Sequence, residues 1–567
     1  MSSLPQPAAR RFSTWRGVYR ALSSRDRFIF LSLGVIAIGA FVFWLSAGYL
    51  ALTKPVPDFG GQYIEGVVSQ PRYINPILSQ TSDADADLVE LIYAGLFRYD
   101  QSGGVEKHIA SDYQVSEDGR TYTVFLRPGV RFHDGEELSA DDVVFTVRSI
   151  QDPAYKSPLR ANWQGVEVAA TDQYTVIFTL KKPYFGFLEN LVVGILPKHI
   201  WENIAPDNFT LADYNLSQPI GSGPYLFDDL DKDSQGNVLS LHLRANQEYF
   251  LGAPYIDRLT FRFYPDEDSL LAAYDRQEVM GVHSVSHERV AEVSGKKGAQ
   301  LHEFPLPRLF AVFLNTNKSV ALAYDEVRES IALATDREAI LRDVLKGHGT
   351  VSAGPLPPFV KGFSESPASF DVARASALLD EKGWKRGEDG FRSKGDTVLS
   401  FELAVPDWPE LMRTADLLSE GWRAIGVRAD VKVLSQADLQ QNAVRPREYQ
   451  ALLFGQGSML DPDPYSFWHS SQKNDPGLNL AFYENKEVDG LLADAREMLD
   501  PEKRKEAFKK FQDIIASEHP AVFLYSPSYL YVVSDIVKGI DAYPINAPAS
   551  RLSDVASWYI ETKRVKK

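Results

Sequence analysis

Four stretches of the chain bring together side chains that could do chemistry. Gly221-Ser222-Gly223 holds a serine between glycines, as a nucleophile's turn would. Pro224-Tyr225 follows it, and the GxSxG spacing of a nucleophile elbow is missing, so the segment reads as a Pro/Gly turn. His283 and His287 stand at i, i+4, which on a helix offers two imidazoles to one metal ion. No third ligand follows at a diagnostic spacing, so a solvated surface pair is predicted. His133-Asp134-Gly135-Glu136, inside GVRFHDG, predicts a turn from a strand into a helix beginning at Asp141-Asp142. Asp461 and Asp463 make a carboxylate pair of the kind glycoside hydrolysis uses. With 76 acidic residues among 567, however, such pairs arise without any catalytic reason. HExxH and Walker motifs are absent. There is no cysteine, which excludes disulfides, thiol catalysis, zinc–thiolate sites and iron–sulfur clusters. The residues therefore predict no catalytic centre, no metal and no cofactor.

Charge is unevenly placed. The total is −16, but residues 1–27 carry Arg10, Arg11, Arg16, Arg20, Arg25 and Arg27 against Asp26 alone. Residues 28–52 carry no charge, which leaves −21 on the rest. Phosphate attraction needs a basic face, so a nucleic-acid partner is excluded. The uncharged run Phe28 to Leu52 is long enough to cross a bilayer. Arginines crowd its N-terminal flank, which predicts a cytoplasmic tail (1–27), a transmembrane helix (28–52) and an extracytoplasmic body. Trp44 and Tyr49 fall at the outer interface. Ser46-Ala47-Gly48 resembles a cleavage site, but the apolar run exceeds a signal peptide's h-region, so an uncleaved anchor is expected. Residues 54–61 read as a short linker.

The elements behind the anchor follow from periodicity. Tyr122, Val124 and Leu126 alternate with Thr121, Thr123 and Phe125, a half-buried strand between turn signals. Tyr174–Leu180, Asn237–Arg244 and Arg258–Tyr264 give further strands. In the second half, Asp371 caps a helix running to Lys382, and Asp407 before Pro409 caps another. Leu411, Ala415, Leu418, Trp422 and Ile425 form the apolar face of that helix. Asp500-Pro501 opens a third. Strands at 399–404, 428–434 and 450–454 alternate with these helices, an α/β pattern with a parallel or mixed sheet.

Long motifs then become recognisable. LIYAGLFRYD, DYQVSEDGRTYTVFLRPGVRFHDG and LSADDVVFTVRSIQDP, between Leu91 and Pro153, resemble the bacterial extracellular solute-binding proteins of family 5. Asn75-Pro76, ILPKHI, PIGSGPY, FLNTN, VRESIALATDREAI, ALLDEKGW and DPDPYSFW follow in the family's order. The resemblance covers residues 60–565. It implies a two-lobed periplasmic-binding-protein-like fold with a hinge and an extra subdomain. Lobe I would comprise 58–92, 215–308 and 531–567, the inserted subdomain 93–214, and lobe II 309–530. It also implies capture of a peptide or another small polar solute, and delivery to an ABC permease and its ATPases by a monomeric exported body.

Two departures from the family stand out: the retained transmembrane helix, and Ser458 where peptide-binding relatives hold an aspartate for the ligand's ammonium group. A shift in the alignment would give that role to Asp461 or Asp463. Expected cleft residues are Gln456, Ser458, Asp461, Tyr465 and Trp468 on one loop, with Tyr73, Asn75 and Trp408 as a second set. Each has a bland alternative: Trp468 as core, Asp461 and Asn75 as turn formers, Trp408 as a staple of its helix. The competing functions are an anchored hydrolase and a sensor without transport.

Overall fold

A computed structural model describes residues 23–359 and 370–567. Arg10, Arg11, Arg16 and Arg20 of the expected tail lie outside the described residues. The chain forms two compact units, one of residues up to Asp58 with Glu561–Lys567, the other Phe59–Ile560.

The first unit is helix α1 (Ser24–Leu52) and a two-stranded ribbon. α1 is capped by Ser23 and buries no side chain. It is the one helix among the described residues long and apolar enough to cross a membrane. The expected linker is instead a strand, β1 (Thr53–Pro57), which follows the helix without a break. The C-terminal strand, described below, pairs with it.

The second unit is a two-lobed α/β body. Helix α2 (Asp83–Ile92) is capped by Ser82 and lies over the first lobe's core. In the inserted region, Ala110–Val115, Thr121–Leu126, Thr175–Leu180 and Val166–Asp172 form a four-stranded sheet in that spatial order. Tyr122, Val124 and Leu126 are buried, as their alternation predicts. The Ser139 capping box starts the helix Ala140–Gln151.

Twelve strands join through one sheet. Strand β2 (Arg308–Leu314) follows Ala299–Pro305 after a two-residue bend. Helix α3 (Pro409–Ala424) buries Leu411, Ala415, Leu418 and Trp422, the predicted face. Its N-cap is Trp408, without a side-chain cap, and not Asp407, whose backbone N–H donates to Leu434 in the sheet. Strand β3 (Ala451–Gly457) pairs antiparallel with β2. Ser400–Pro406 lies parallel to both β3 and Arg428–Leu434, so the sheet is mixed. Helices α4 (Lys486–Glu497) and α5 (Pro501–Glu518) cover it, α5 capped by Asp500 as expected. Strand β4 (Ala521–Ser534) is long because it serves both lobes. Its first half pairs with β2, and its second half pairs with Ala299–Pro305 and Gly281–Val282. The chain therefore crosses between the two halves of the sheet at 305–308 and again at 526–528. Ser526 pins the crossings together, its hydroxyl lying 3.0 Å from the Leu306 carbonyl and 2.8 Å from that of Arg308.

The C-terminal strand β5 (Thr562–Lys566), expected to finish the first lobe, pairs with β1 from Thr53↔Lys566 to Pro57↔Thr562.

Deep in the first lobe, Arg551 binds Glu65 and Asp87, all three without exposed surface. Tyr63 and Tyr531 each donate to Glu65 at 2.6 Å. An unpaired buried charge is costly, and this network pairs all three, with only Arg551 Nε of the guanidinium lacking a hydrogen-bond partner among the described residues. The Arg551 guanidinium outweighs burial and holds Asp87 down at about 2. His283 stands 3.2 Å from Asp87 and is buried. His287 is buried too, 2.8 Å from Glu410 of the other lobe. The solvated surface pair expected of these histidines is thus corrected: the segment is not helical, and each ring faces its own carboxylate.

Candidate ligand-binding cleft

The loop after β3 carries the candidate site. Ser458 begins it, its N–H donating 2.7 Å to Pro307 at the crossing. The loop then reaches both other walls. The Leu460 N–H donates to Asn546 Oδ1 at 3.0 Å. Asn546 Nδ2 donates to the Tyr99 hydroxyl at 2.5 Å, and Tyr99 donates to Glu189 at 3.3 Å. One hydrogen-bonded chain thus joins the second lobe, the first lobe and the inserted region around Met459.

Two cavities flank Met459. The larger, about 730 Å³, is walled by Ser458, Asp463 and Tyr465 from the second lobe and by Asn162, Tyr184 and Asn190 from the inserted region. The smaller, about 410 Å³, is walled by α2, the inserted region and the segment 546–553. Asp83, Ala86 and Glu90, at i, i+3 and i+7, place one face of α2 there. Tyr93, Arg98, Tyr99, His108, Glu189 and Tyr249 are among its other polar lining residues. Met459, Asn162 and Asn190 face both cavities.

The electrostatics of the two cavities differ. Asp461 and Asp463 are each matched by an arginine. Arg504 of α5 reaches both Asp461 oxygens, at 3.0 and 2.8 Å, and Arg496 of α4 lies 2.9 Å from Asp463. Burial still raises both carboxyls, against the pull of these arginines. Glu189 has no cation within salt-bridge distance among the described residues. Burial, then the nearby Asp461 charge, pushes it up to about 8. Burial also raises Glu90, which accepts from Ser553 Oγ at 2.6 Å. His108 is pushed down to about 3 by burial and donates or accepts with Tyr249 at 2.7 Å.

The structure brings together only part of the expected set. Ser458 and Tyr465 wall the larger cavity; Tyr465 stacks on His469 at 4.1 Å beneath Arg496. Asp461 lies beside them in its arginine pair. Gln456 is buried, its amide N–H 3.4 Å from the Pro355 carbonyl and its Oε1 without a partner among the described residues. Trp468 has no exposed surface and packs among Phe313, Tyr483, Phe511 and Phe523. Asn75 is equally buried; it accepts from Ile77 N–H and donates to Asn215 at 3.0 Å, folding its own turn. Tyr73 packs against the first core, its N–H held by Asp85. Trp408 stands apart, stacked 6.5 Å from Phe454 beside a separate cavity of about 560 Å³. Sequence reasoning missed Glu189, Glu90, Tyr99 and Asn546. The one signal for Glu189 was an acid inside the apolar run FGFLENLVVG.

Ser222 and His133 form no nucleophile and base: the Ser222 hydroxyl is buried with no hydrogen-bond partner among the described residues. Gly221 N–H donates to His133 Nδ1, and His133 Nε2 donates to the Gly223 carbonyl. The ring is a clamp on this turn. A Cβ on Gly221 would stand 2.1 Å from the Ile92 carbonyl oxygen, so the glycines allow the turn to press against the end of α2.

The family model of the bacterial extracellular solute-binding proteins, family 5, matches residues 104–477, and the chain belongs to that family. Among curated relatives, the oligopeptide-binding protein AppA of Bacillus subtilis is 28% identical over 517 residues, 89% of this chain and 92% of AppA. Protein XP55 of Streptomyces lividans is 30% identical over 510 residues, 87% and 90% of the two chains. Among solved structures, the ABC transporter substrate-binding protein CtaP of Listeria monocytogenes superimposes with a TM-score of 0.77 at 27% identity, covering 89% of this chain and 100% of CtaP. AppA in complex with a nonapeptide gives 0.70 at 26% identity, with coverage of 89% and 100%.

Proposed function

We propose that the chain is a membrane-anchored extracytoplasmic capture protein of an ABC importer, and that a peptide-like solute fills the cavities on either side of Met459. The observation that carries this reading is the shared wall: both lobes and the inserted region meet at one loop, so a ligand there bridges them and favours closure. Each cavity has the size that encloses a small ligand, and their adjacency suits an extended one. The relative AppA was solved with a nonapeptide, which supports the same class. The lobes are assigned to 58–92, 215–308 and 531–560, and to 309–530, with 93–214 inserted; the two crossings support these limits.

The ligand leaves unchanged, because the histidine nearest to a catalytic pair, His133, has both ring nitrogens engaged in holding a turn. A cationic end group has no partner at Ser458 and competes with Arg504 at Asp461. Asp83, Glu90 and Glu189 line the smaller cavity with no salt-bridge partner among the described residues, and Glu189, beside Asp461, is the one assigned to receive it.

The test is mass analysis of the solute carried through purification, before and after prolonged incubation. An unaltered peptide-like mass at one per chain supports the reading. Turnover to product contradicts it. For the anchor, the mature N-terminus is sequenced: retention of residues 1–27 in the membrane fraction supports it, and a soluble protein beginning near Tyr49 contradicts it.

A further inference from the structure

The ribbon at the end of α1 concentrates positive charge that the body lacks. Lys54, Lys563, Arg564, Lys566 and Lys567 stand there against Asp58 and Glu561. Residues 53–567 carry −21 overall, so the negative charge falls on the rest of the exported chain. The basic residues come from opposite ends of the sequence, and only the β1–β5 pairing brings them together.

Their height along α1 is fixed by register. Lys566 opposes Thr53, and Lys567 N–H donates 3.0 Å to the Leu52 carbonyl. Both lysines therefore lie level with the last apolar turn. Lys54 is one residue further, opposite Val565. At about 3.3 Å per strand residue, Lys54, Lys566 and Lys567 lie within about 7 Å of the helix end. That is headgroup depth, given a hydrocarbon core of about 30 Å inside a bilayer of about 40–45 Å.

Two of the five cations are already engaged. Arg564 is a staple: it donates to Thr53 Oγ1 at 2.9 Å, to the Thr53 carbonyl at 2.9 Å and to the Leu50 carbonyl at 3.3 Å, and it lies over the Tyr49 ring. Lys563 pairs with Asp58 at 2.9 Å. Lys54, Lys566 and Lys567 are exposed, and none has a carboxylate partner among the described residues. Three ammonium groups at headgroup depth, on a ribbon locked to the helix, match the phosphates of an anionic leaflet.

We propose that this ribbon is a docking surface for anionic phospholipid headgroups of the outer leaflet, with Lys54, Lys566 and Lys567 as its contacts. The proposal rests on α1 spanning the membrane. It gives the C-terminal strand a purpose: pairing with β1 brings basic residues from the far end of the sequence to the end of the membrane helix.

The test uses the full chain in vesicles of mixed phosphatidylglycerol and phosphatidylcholine. Trp44 is the one tryptophan of the apolar stretch, and Trp15→Phe removes the tryptophan of the N-terminal tail. Its quenching by brominated forms of either lipid reports which one surrounds the helix end. Wild type is expected to prefer the anionic lipid at low ionic strength. The preference should fall by about fivefold for each of Lys54→Gln, Lys566→Gln and Lys567→Gln, and be lost in salt. The triple arginine variant should retain it. Melting temperatures of the variants verify the fold. Equal preference in wild type and the triple glutamine variant overturns the docking surface and leaves the anchor standing. A chain that fails to float with the vesicles overturns both.

Discussion

Arg504 and Asp461 form a two-oxygen ion pair, one guanidinium nitrogen 2.8 Å and 3.0 Å from the two carboxylate oxygens. Arg504 also lies over the Phe185 ring of the inserted region. The pair thus stiffens the loop that walls the larger cavity. Asp461→Asn is expected to lower the apo melting temperature, with a loss of about 1 kcal/mol for this half-exposed pair. Free and N-acetylated versions of the co-purified ligand should weaken equally in calorimetry. A loss confined to the free amine would instead assign Asp461 to the ligand.

Glu189 predicts a pH dependence of opposite cause. Its folded value near 8 lies above the ordinary 4.5. The native state therefore holds a proton that the unfolded chain gives up, and the associated stability is full below about 4.5 and lost as the pH rises towards 8. Glu189→Gln should flatten that slope and raise stability at pH 8 by a few kcal/mol. Urea titrations at several pH values measure it. A cationic ligand seated on Glu189 should expel about one proton, visible as a buffer-dependent binding enthalpy. An unchanged slope in the variant would remove Glu189 from the cavity's electrostatics.

The core triad sets the acid limit. Asp87 is held at about 2, below its ordinary 3.8, so its contribution is present above about pH 4 and lost as the pH falls towards 2. Arg551→Leu leaves Glu65 and Asp87 buried without their cation and should cost about 3–5 kcal/mol. Replacing all three by neutral residues of similar volume should restore part of that loss. Chemical denaturation of the single and triple variants compares them.

Ser526 offers a direct handle on the crossings. Ser526→Ala removes the hydroxyl shared between the Leu306 and Arg308 carbonyls and should cost about 1 kcal/mol. Hydrogen exchange should rise at 305–308 and 526–528 and not in the sheet of the inserted region.

What the sequence told in advance, and what it withheld, divides along physical lines. Local signals held: the alternation at Tyr122, Val124 and Leu126, the caps Asp371 and Asp500, and the apolar face of α3 depend on neighbours a few residues away. Asp407 misled because the strand claimed its N–H and left Trp408 to open the helix. His283 and His287 misled because burial beside Asp87 and Glu410 depends on residues far away in sequence. The loop at Ser458 was legible as a motif. Glu189, Tyr99 and Asn546 were not, because 90 to 447 residues separate the members of their hydrogen-bonded chain. The pairing of β1 with β5 was hidden for the same reason.

The most direct test of the account is ligand-linked stability with a blocked junction. The co-purified solute is stripped, identified and returned to the full chain and to Met459→Trp, whose indole would fill the space between the cavities. The account predicts that wild type gains about 2.7 kcal/mol at a hundredfold excess of ligand over its dissociation constant, while the variant folds normally and gains almost nothing. Full ligand stabilisation in Met459→Trp would contradict the cleft assigned here.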